Sequence, residues 1–487
     1  MVHNIIYNIQ DWLWTYVNIV LLVGCAVYFT LRTGGVQFRM FKEMMRLMFH
    51  STEGKRKANE GEEAQKVCEG TTAEGKKAKE GKSEKQISSF QAFVVALASR
   101  IGTGNLAGVA TAISVGGPGA IFWMWVMALF GSATAFVEST LAQLYKRRGE
   151  GAFYGGPAYY MYHGLHRRWM GVLFSVLMIL TFGFANNAMQ SNTIALAWQQ
   201  AFEVPLEWMG GILCLLTVAV IFGGIHRIAR ISSTVVPVMA VVYLLLAVYI
   251  VLSNITVLPK VLTMIVENAF GFGEFAGGAL GAIVMMGIKR GLFSNEAGEG
   301  SAPNAAATAH VTHPVKQGLI QALGVFVDTL VVCSCTAFMI LCSGVDYTAS
   351  NGIQLTQDAL TEEIGGLGNH FIAVVIWLFA FSTIIANCYY GETNLVFFTK
   401  NKTALFVYRF MAAAFVMLGA LLTLDLAWSI IDLCMALITI CNLLAIIQLF
   451  PKVRLLVRDY ATQKKKGADP VFTKDMMPEI SNDLDAW

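Results

Sequence analysis

Charge is what this sequence has least of. Asp, Glu, Lys and Arg make up 14% of its 487 residues, against about a quarter in soluble domains. Apolar residues reach 56% and fall into repeated runs of about 20, long enough to cross a bilayer as helices. A soluble fold is excluded on that ground. Met1–Gln10 lacks a basic patch and no small-residue cleavage site follows it, so the first apolar run reads as a retained helix. The nine cysteines are scattered, and Cys333 and Cys335 point to different faces of one helix. They read as small core residues, not a disulfide frame or a metal site. The side-chain sets of an intramembrane hydrolase are missing too. There is no His-Glu-x-x-His, and His310 and His313 stand in an expected loop beside Pro314 with no placed carboxylate. Gly102-Thr-Gly104 is no dinucleotide fingerprint, because the third glycine is misplaced and no strand precedes it. Neither an organic cofactor nor a nucleic-acid partner is expected, and no repeated ring of ligands suggests a passive channel.

What is present is organised around Gly287–Pro303, which reads Gly-Ile-Lys-Arg-Gly-Leu-Phe-Ser-Asn-Glu-Ala-Gly-Glu-Gly-Ser-Ala-Pro. Apolar runs flank it, yet it carries Lys289, Arg290, Glu296 and Glu299. Charges and freed backbone groups in contact with lipid cost several kcal/mol each, so such a stretch must line a protein-enclosed or water-filled cavity. Ser99-Arg-Ile-Gly-Thr-Gly-Asn105 repeats the feature on a smaller scale. Two broken helices in one membrane chain point to the binding site of a secondary transporter.

The expected spans are Leu13–Leu31, Ile87–Val115 (broken at Gly102–Asn105), Ala120–Tyr145, Met170–Gln190 running on toward Trp198, Trp208–Phe222 and Val235–Leu252. They continue with Glu274–Gly287 leading into the second break, Gly318–Cys342, Phe371–Tyr390, Thr403–Leu424 and Ala427–Phe450. This gives an all-α polytopic membrane protein of about eleven transmembrane helices. Lys and Arg gather after every odd-numbered span, while the loop Gly344–Gly368 is acidic. The positive-inside rule then sets the N-terminus outside and the C-terminus in the cytoplasm. Removing the first helix leaves two sets of five, each opening with a broken helix, and an odd number forces them into opposite orientations. The organisation is therefore an extra helix and basic amphipathic segment (1–50, with Gln37–His50 on the membrane surface), a disordered charged insertion (51–86), five-helix repeats at 87–252 and 253–451, and a polar basic cytoplasmic tail (452–487).

The glycines at 102 and 104 let the backbone unwind and approach a ligand. The helix resuming at Leu106 offers free N–H groups to a carboxylate, and the carbonyls ending the preceding half-helix suit a small cation. Phe293 supplies an apolar wall, with Ser294 and Asn295 at the ligand's polar ends. Glu296 reads as a clamp on the broken helix through backbone N–H groups. Ser382 and Thr383 offer hard hydroxyl oxygens, with back-bonding to their own helix as the alternative. Asn387 lies one turn beyond Thr383 on the same face. Gln190 and Asn186 are intramembrane amides, Glu138 and Asp328 isolated intramembrane carboxyls. Lys289 and Arg290 are expected toward the cytoplasmic end, as gate ion-pair or interface residues.

Together these segments resemble the alanine or glycine:cation symporter family. The resemblance rests on Ile101-Gly-Thr-Gly-Asn-Leu-Ala-Gly-Val-Ala110, Gly116-Gly-Pro-Gly-Ala-Ile-Phe-Trp-Met-Trp-Val126, Gly155-Gly-Pro-Ala-Tyr-Tyr160, Gly291-Leu-Phe-Ser-Asn-Glu-Ala-Gly298 and Gly324-Val-Phe-Val-Asp-Thr329. It implies a sodium-coupled uptake carrier for small neutral amino acids in a prokaryotic plasma membrane, with the leucine-transporter-type fold of five-plus-five inverted repeats. It also implies Thr103, Gly104 and Asn105 around the substrate carboxylate, Gln190, Phe293 and Ser294 around the rest, and Thr383 lining the pocket. For sodium it implies the carbonyls of Ala98 and Ile101 with the hydroxyls of Ser382 and Thr383. A proton-coupled carrier of the same fold is the alternative, with Glu296, Glu138 or Asp328 carrying the proton. Many family members have Gly-Trp where this chain has Ala386-Asn387, which enlarges the pocket and admits a longer polar substrate such as glutamine. If Asn387 sets that limit, Asn387→Trp lowers the glutamine-to-alanine uptake ratio.

Overall fold

Capping chemistry starts the helices where the apolar periodicity begins. Ser88 Oγ accepts from Gln91 N–H at 3.2 Å and the Gln91 side chain accepts from Ser88 N–H at 3.0 Å, a reciprocal cap on the first broken helix. His313 accepts from Val315 N–H, and Pro314 takes the first helical position behind it. The computed structural model describes residues 2–49, 87–149, 152–222, 224–271 and 279–487. The insertion Ser51–Lys85 and the start of the expected seventh span at Glu274 lie outside them.

In chain order the main helices are α1 (Asn4–Arg32), α2 (Phe41–Phe49), α3 (Ser89–Arg100), α4 (Gly104–Gly116), α5 (Gly119–Leu144), α6 (Arg168–Phe202), α7 (Leu206–Ile221) and α8 (Gly224–Ser253). They continue as α9 (Leu258–Ala269), α10 (Ala279–Asn295), α11 (Ala302–Ala306), α12 (Pro314–Cys342), α13 (Ile353–Ile364), α14 (Leu367–Phe398), α15 (Lys402–Ala420) and α16 (Leu424–Lys465). Among the described residues eight helices are long and apolar enough to cross a membrane, or nine when α3 and α4, bent by 50°, count as one broken span. Of the remaining expected spans, the fifth is the 16-residue α7 and the seventh is the 17-residue α10.

Four expectations are corrected. Gly287 and Gly291 do not break a helix: α10 runs through them, and the break falls at Glu296–Ser301. These glycines serve close packing, since a Cβ on Gly287 would lie 2.6 Å from Trp123 Cβ on α5. The acidic loop after Gly344 contains the helix α13, and α9 adds a helix where none was expected. Among the described residues the helices are joined by one antiparallel strand pair, Arg147–Arg148 against Phe153–Tyr154.

The tail is the fourth correction. α16 continues through Pro451 to Lys465, and the chain beyond it folds back onto the end of α5. Phe472 N–H donates to Thr312 O at 2.8 Å, Trp487 Nε1–H to Gln143 O at 3.0 Å, and Arg147 to Asp483 O at 3.0 Å. Phe472, Met477, Ile480 and Leu484 are buried, and Lys146 Nζ lies 4.5 Å from the Trp487 ring. These apolar residues are few and stand among charged and polar neighbours, so composition alone reads the segment as solvated. Trp487→Ala is expected to lower stability by about 2 kcal/mol through lost packing and cation–π contact. A thermal melt matching the parent would show that the tail does not dock.

Candidate functional site

α3 stops at Arg100 and leaves its last carbonyls and the next N–H groups without helical partners. Gly102 N–H donates to Asn105 Oδ1 at 3.0 Å and Thr103 N–H to Gln190 Oε1 at 2.9 Å; Thr103 Oγ–H reaches the same oxygen at 2.8 Å. Gln190 Oε1 thus accepts the two hydrogen bonds that a bound carboxylate oxygen would take. On the other side, Ala98 O, Ile101 O and Phe379 O lie 2.9, 3.3 and 3.2 Å from Thr383 Oγ1 on α14. A hydroxyl carries one proton and satisfies one of these carbonyls at a time. The oxygens therefore converge as an acceptor-rich point of the kind a hard cation takes.

The second break faces the first. Glu296 has φ +57°, followed by Gly298 at +103° and Gly300 at +79°. A left-handed conformation costs a non-glycine residue about 1 kcal/mol, and Glu296 is held by hydroxyls from both sides. Its carboxylate accepts from Ser99 Oγ at 2.7 Å and from Ser301 Oγ. The clamp is thus made by side-chain hydroxyls, where backbone N–H groups were expected. Asn105 Nδ2–H donates to Ser294 Oγ at 3.1 Å and to Asp328 Oδ1 at 2.7 Å, while Ser294 Oγ–H donates to Asp328 Oδ2 at 2.7 Å. Thr103, Asn105, Ser294, Asp328 and Thr383 are fully buried. The Phe293 ring stands edge-on to Trp428, centroids 4.9 Å apart, with its Cδ1 against Gly104.

The structure therefore brings together Thr103, Gly104, Asn105, Gln190, Phe293, Ser294 and Thr383, with the carbonyls of Ala98 and Ile101. Two expected members stand apart. Ser382 donates back to Phe379 O on its own helix at 2.8 Å. Asn387 accepts from Ser99 Oγ at 3.0 Å, in the layer of Glu296. The role of Asp328 was only half legible: expected as an isolated carboxyl, it joins both breaks. Glu138 is not isolated either, since it accepts from Asn442 Nδ2–H at 2.8 Å beside Gly298. Trp428 was missed, because nothing in its apolar run sets it off from an ordinary core aromatic.

Lys289 and Arg290, expected as ion-pair or interface residues, share one carboxylate. Asp432 on α16 accepts from Arg290 at 3.1 and 2.8 Å and lies 2.7 Å from Lys289 Nζ. Lys289 also donates to Gln10, and Trp14 Nε1–H donates to Asp432 O. This cluster packs against the N-terminal helix, on the opposite side of the site from the docked tail. The Arg290 guanidinium lies 3.8 Å from the Trp428 ring centroid and so contacts the wall of the site.

Comparison with known proteins bears on this geometry. A profile described as the sodium:alanine symporter family matches residues 1–474. The chain is 47% identical to a protein of Bacillus subtilis named probable sodium/glutamine symporter GlnT, over 100% of this chain and 96% of that one. It is 46% identical to the Bacillus subtilis amino-acid carrier protein AlsT, over 99% and 97%. It is 38% identical to the sodium/proton-dependent alanine carrier protein of Bacillus sp. PS3, over 80% and 92%. In fold it is similar to MhsT, solved in complex with L-phenylalanine, at TM-score 0.50 and 13% identity over 83% of this chain and 94% of that one. It is similar as well to the Eremococcus coleocola manganese transporter at TM-score 0.51 and 14% identity, with the same coverage.

Proposed function

The chain belongs to the sodium:alanine symporter family, and on that premise we propose that it imports a small neutral amino acid, alanine, glycine or glutamine, at the site between its two breaks. It is a multi-pass carrier of the prokaryotic plasma membrane with the leucine-transporter-type fold, not an enzyme, and sodium is the co-transported ion. The carrying observation is that a donor set and an acceptor set face one buried point. N–H and Oγ–H of Thr103 suit the substrate carboxylate, and the oxygens around Thr383 suit sodium. Inward sodium flow then drives uptake, because each ligand completes a site the other borders. Substrate enters by displacing Gln190 Oε1 from Thr103, with Phe293 as the apolar wall and Ser294 and Asn105 at the polar end. Ser382 would join the ion site by turning from Phe379 O, and Asn387 bounds the chamber on the Glu296 side.

The relative with a glutamine name supports a pocket that admits a longer side chain, and the carboxamide of Asn387 agrees with it. A cytoplasmic C-terminus is supported by Arg147, Lys316 and Lys464, which share the face of the docked tail. Thr383→Ala is expected to raise the sodium concentration for half-maximal uptake at least about tenfold, since it removes an oxygen ligand of a hard ion. Equal sodium dependence in proteoliposomes would remove Thr383 from the ion site.

A second reading, proton coupling, is favoured by Glu138, Glu296, Glu299 and Asp328, all buried around Arg100. Unpaired buried carboxylates are costly unless a cation or proton joins them. Uptake driven by an imposed pH gradient without sodium would favour it.

A further inference from the structure

On the face of the docked tail, outside the transport site, α2 with the turn before it and the end of α16 border an open pocket of about 520 Å³. Arg39, Lys42, Arg46 and Lys464 line it, with Met40 and Met45. The carboxylate in its wall is already committed. Glu43 accepts from Arg46 at 2.7 Å and from Tyr460 at 2.7 Å, and lies 3.0 Å from Lys464 Nζ. Burial alone would raise its carboxyl, but those three hydrogen bonds outweigh burial and hold it at about 2. Asp469 stands 3.8 Å from Arg46.

Arg39 and Lys42 form no ion pair among the described residues. Arg39 gives one hydrogen bond, to Thr33 O at 3.3 Å, and both side chains are exposed. Beside them Phe38 is 51% and Phe41 45% exposed. A soluble anion has no use for Met40 and Met45 in the lining or for the exposed phenylalanines next to these cations in the chain, and a neutral lipid has none for the two cations. One ligand class uses both features.

We propose that this pocket binds an anionic glycerophospholipid, with its phosphodiester between Arg39 and Lys42 and its acyl chains along Phe38, Phe41 and Met45. The basic amphipathic segment Gln37–His50 thereby acquires a specific occupant in addition to a place at the membrane surface. The pocket is lined by residues between Arg39 and Arg46 and by Tyr460 and Lys464 of α16, which take no part in substrate or ion binding.

The test is native mass spectrometry of the full chain released from mixed micelles of phosphatidylethanolamine with either phosphatidylglycerol or phosphatidylcholine. The parent protein should retain phosphatidylglycerol in preference to phosphatidylcholine. Arg39→Gln with Lys42→Gln should weaken that retention at least about tenfold, while the charge-preserving Arg39→Lys with Lys42→Arg keeps it. Both pairs are exposed and should melt and transport like the parent. Equal retention of the two lipids, or undiminished retention by the double glutamine variant, overturns the proposal. Displacement by millimolar glycerophosphate would mark a soluble-phosphate site instead, and overturns it too. So does retention that begins only after deletion of Ser51–Lys85, because the chain itself would then be the occupant.

Discussion

Gly104→Val is expected to reduce sodium-dependent uptake at least about a hundredfold, the scale of loss that ångström misplacement produces at a reacting or binding centre. A Cβ at this position would lie 2.9 Å from Ser294 Cα, 3.2 Å from Phe293 Cδ1 and 3.3 Å from Ser294 Cβ. The first of these is backbone and cannot rotate away, so the two breaks would be wedged apart. Thr103 and Asn105 on the first break would separate from Phe293 and Ser294 on the second, and the substrate site would lose its facing wall. Gly24→Val is the matched control, because nothing lies within 4 Å of a Cβ there. Near-parental uptake by Gly104→Val, with the protein monodisperse, would show that the breaks need not touch.

Asp432→Asn should have the largest effect on stability. The substitution leaves Lys289, 6% exposed, and Arg290, 3% exposed, without their carboxylate. Removing one partner from a buried ion cluster costs roughly 3–5 kcal/mol, because the remaining charges stay buried without compensation. Removing all of them, as in Lys289→Met with Arg290→Met and Asp432→Leu, should recover most of that loss. Uptake should fall in the single variant as well, since Arg290 stacks on Trp428 and Trp428 packs on Phe293. Asp432→Asn melting with the parent would mean that the three side chains are not an energetic unit.

The sequence carried the site further than the fold's periphery. Polar residues inside apolar runs are costly enough in lipid to be legible one by one. That is why Gln190, Ser294 and Thr383 stand out in the sequence, while Thr103 and Asn105 rest on the family resemblance; the structure brings the five together. Where the break begins was less legible. Gly287 and Gly291 carry the same signal as glycines that unwind a helix, and only the neighbouring α5 distinguishes close packing from unwinding. Partners were harder still. Whether Ser382 turns inward or back to Phe379 O depends on one rotamer, and the place of Lys289 and Arg290 depends on Asp432, 142 residues from Arg290. The docked tail is charged enough to read as solvated, and the short three-four-three spacing of Met477, Ile480, Leu484 and Trp487 gains its meaning only against the end of α5.

A density map of the protein with saturating sodium and alanine tests the central claim most directly. The account predicts the alanine carboxylate within hydrogen-bonding distance, about 3 Å, of Thr103 N–H. Gln190 should have swung off Thr103, and an ion should sit among Ala98 O, Ile101 O and Thr383 Oγ1. Alanine density away from both breaks, or Gln190 still bonded to Thr103 in the loaded protein, would contradict it.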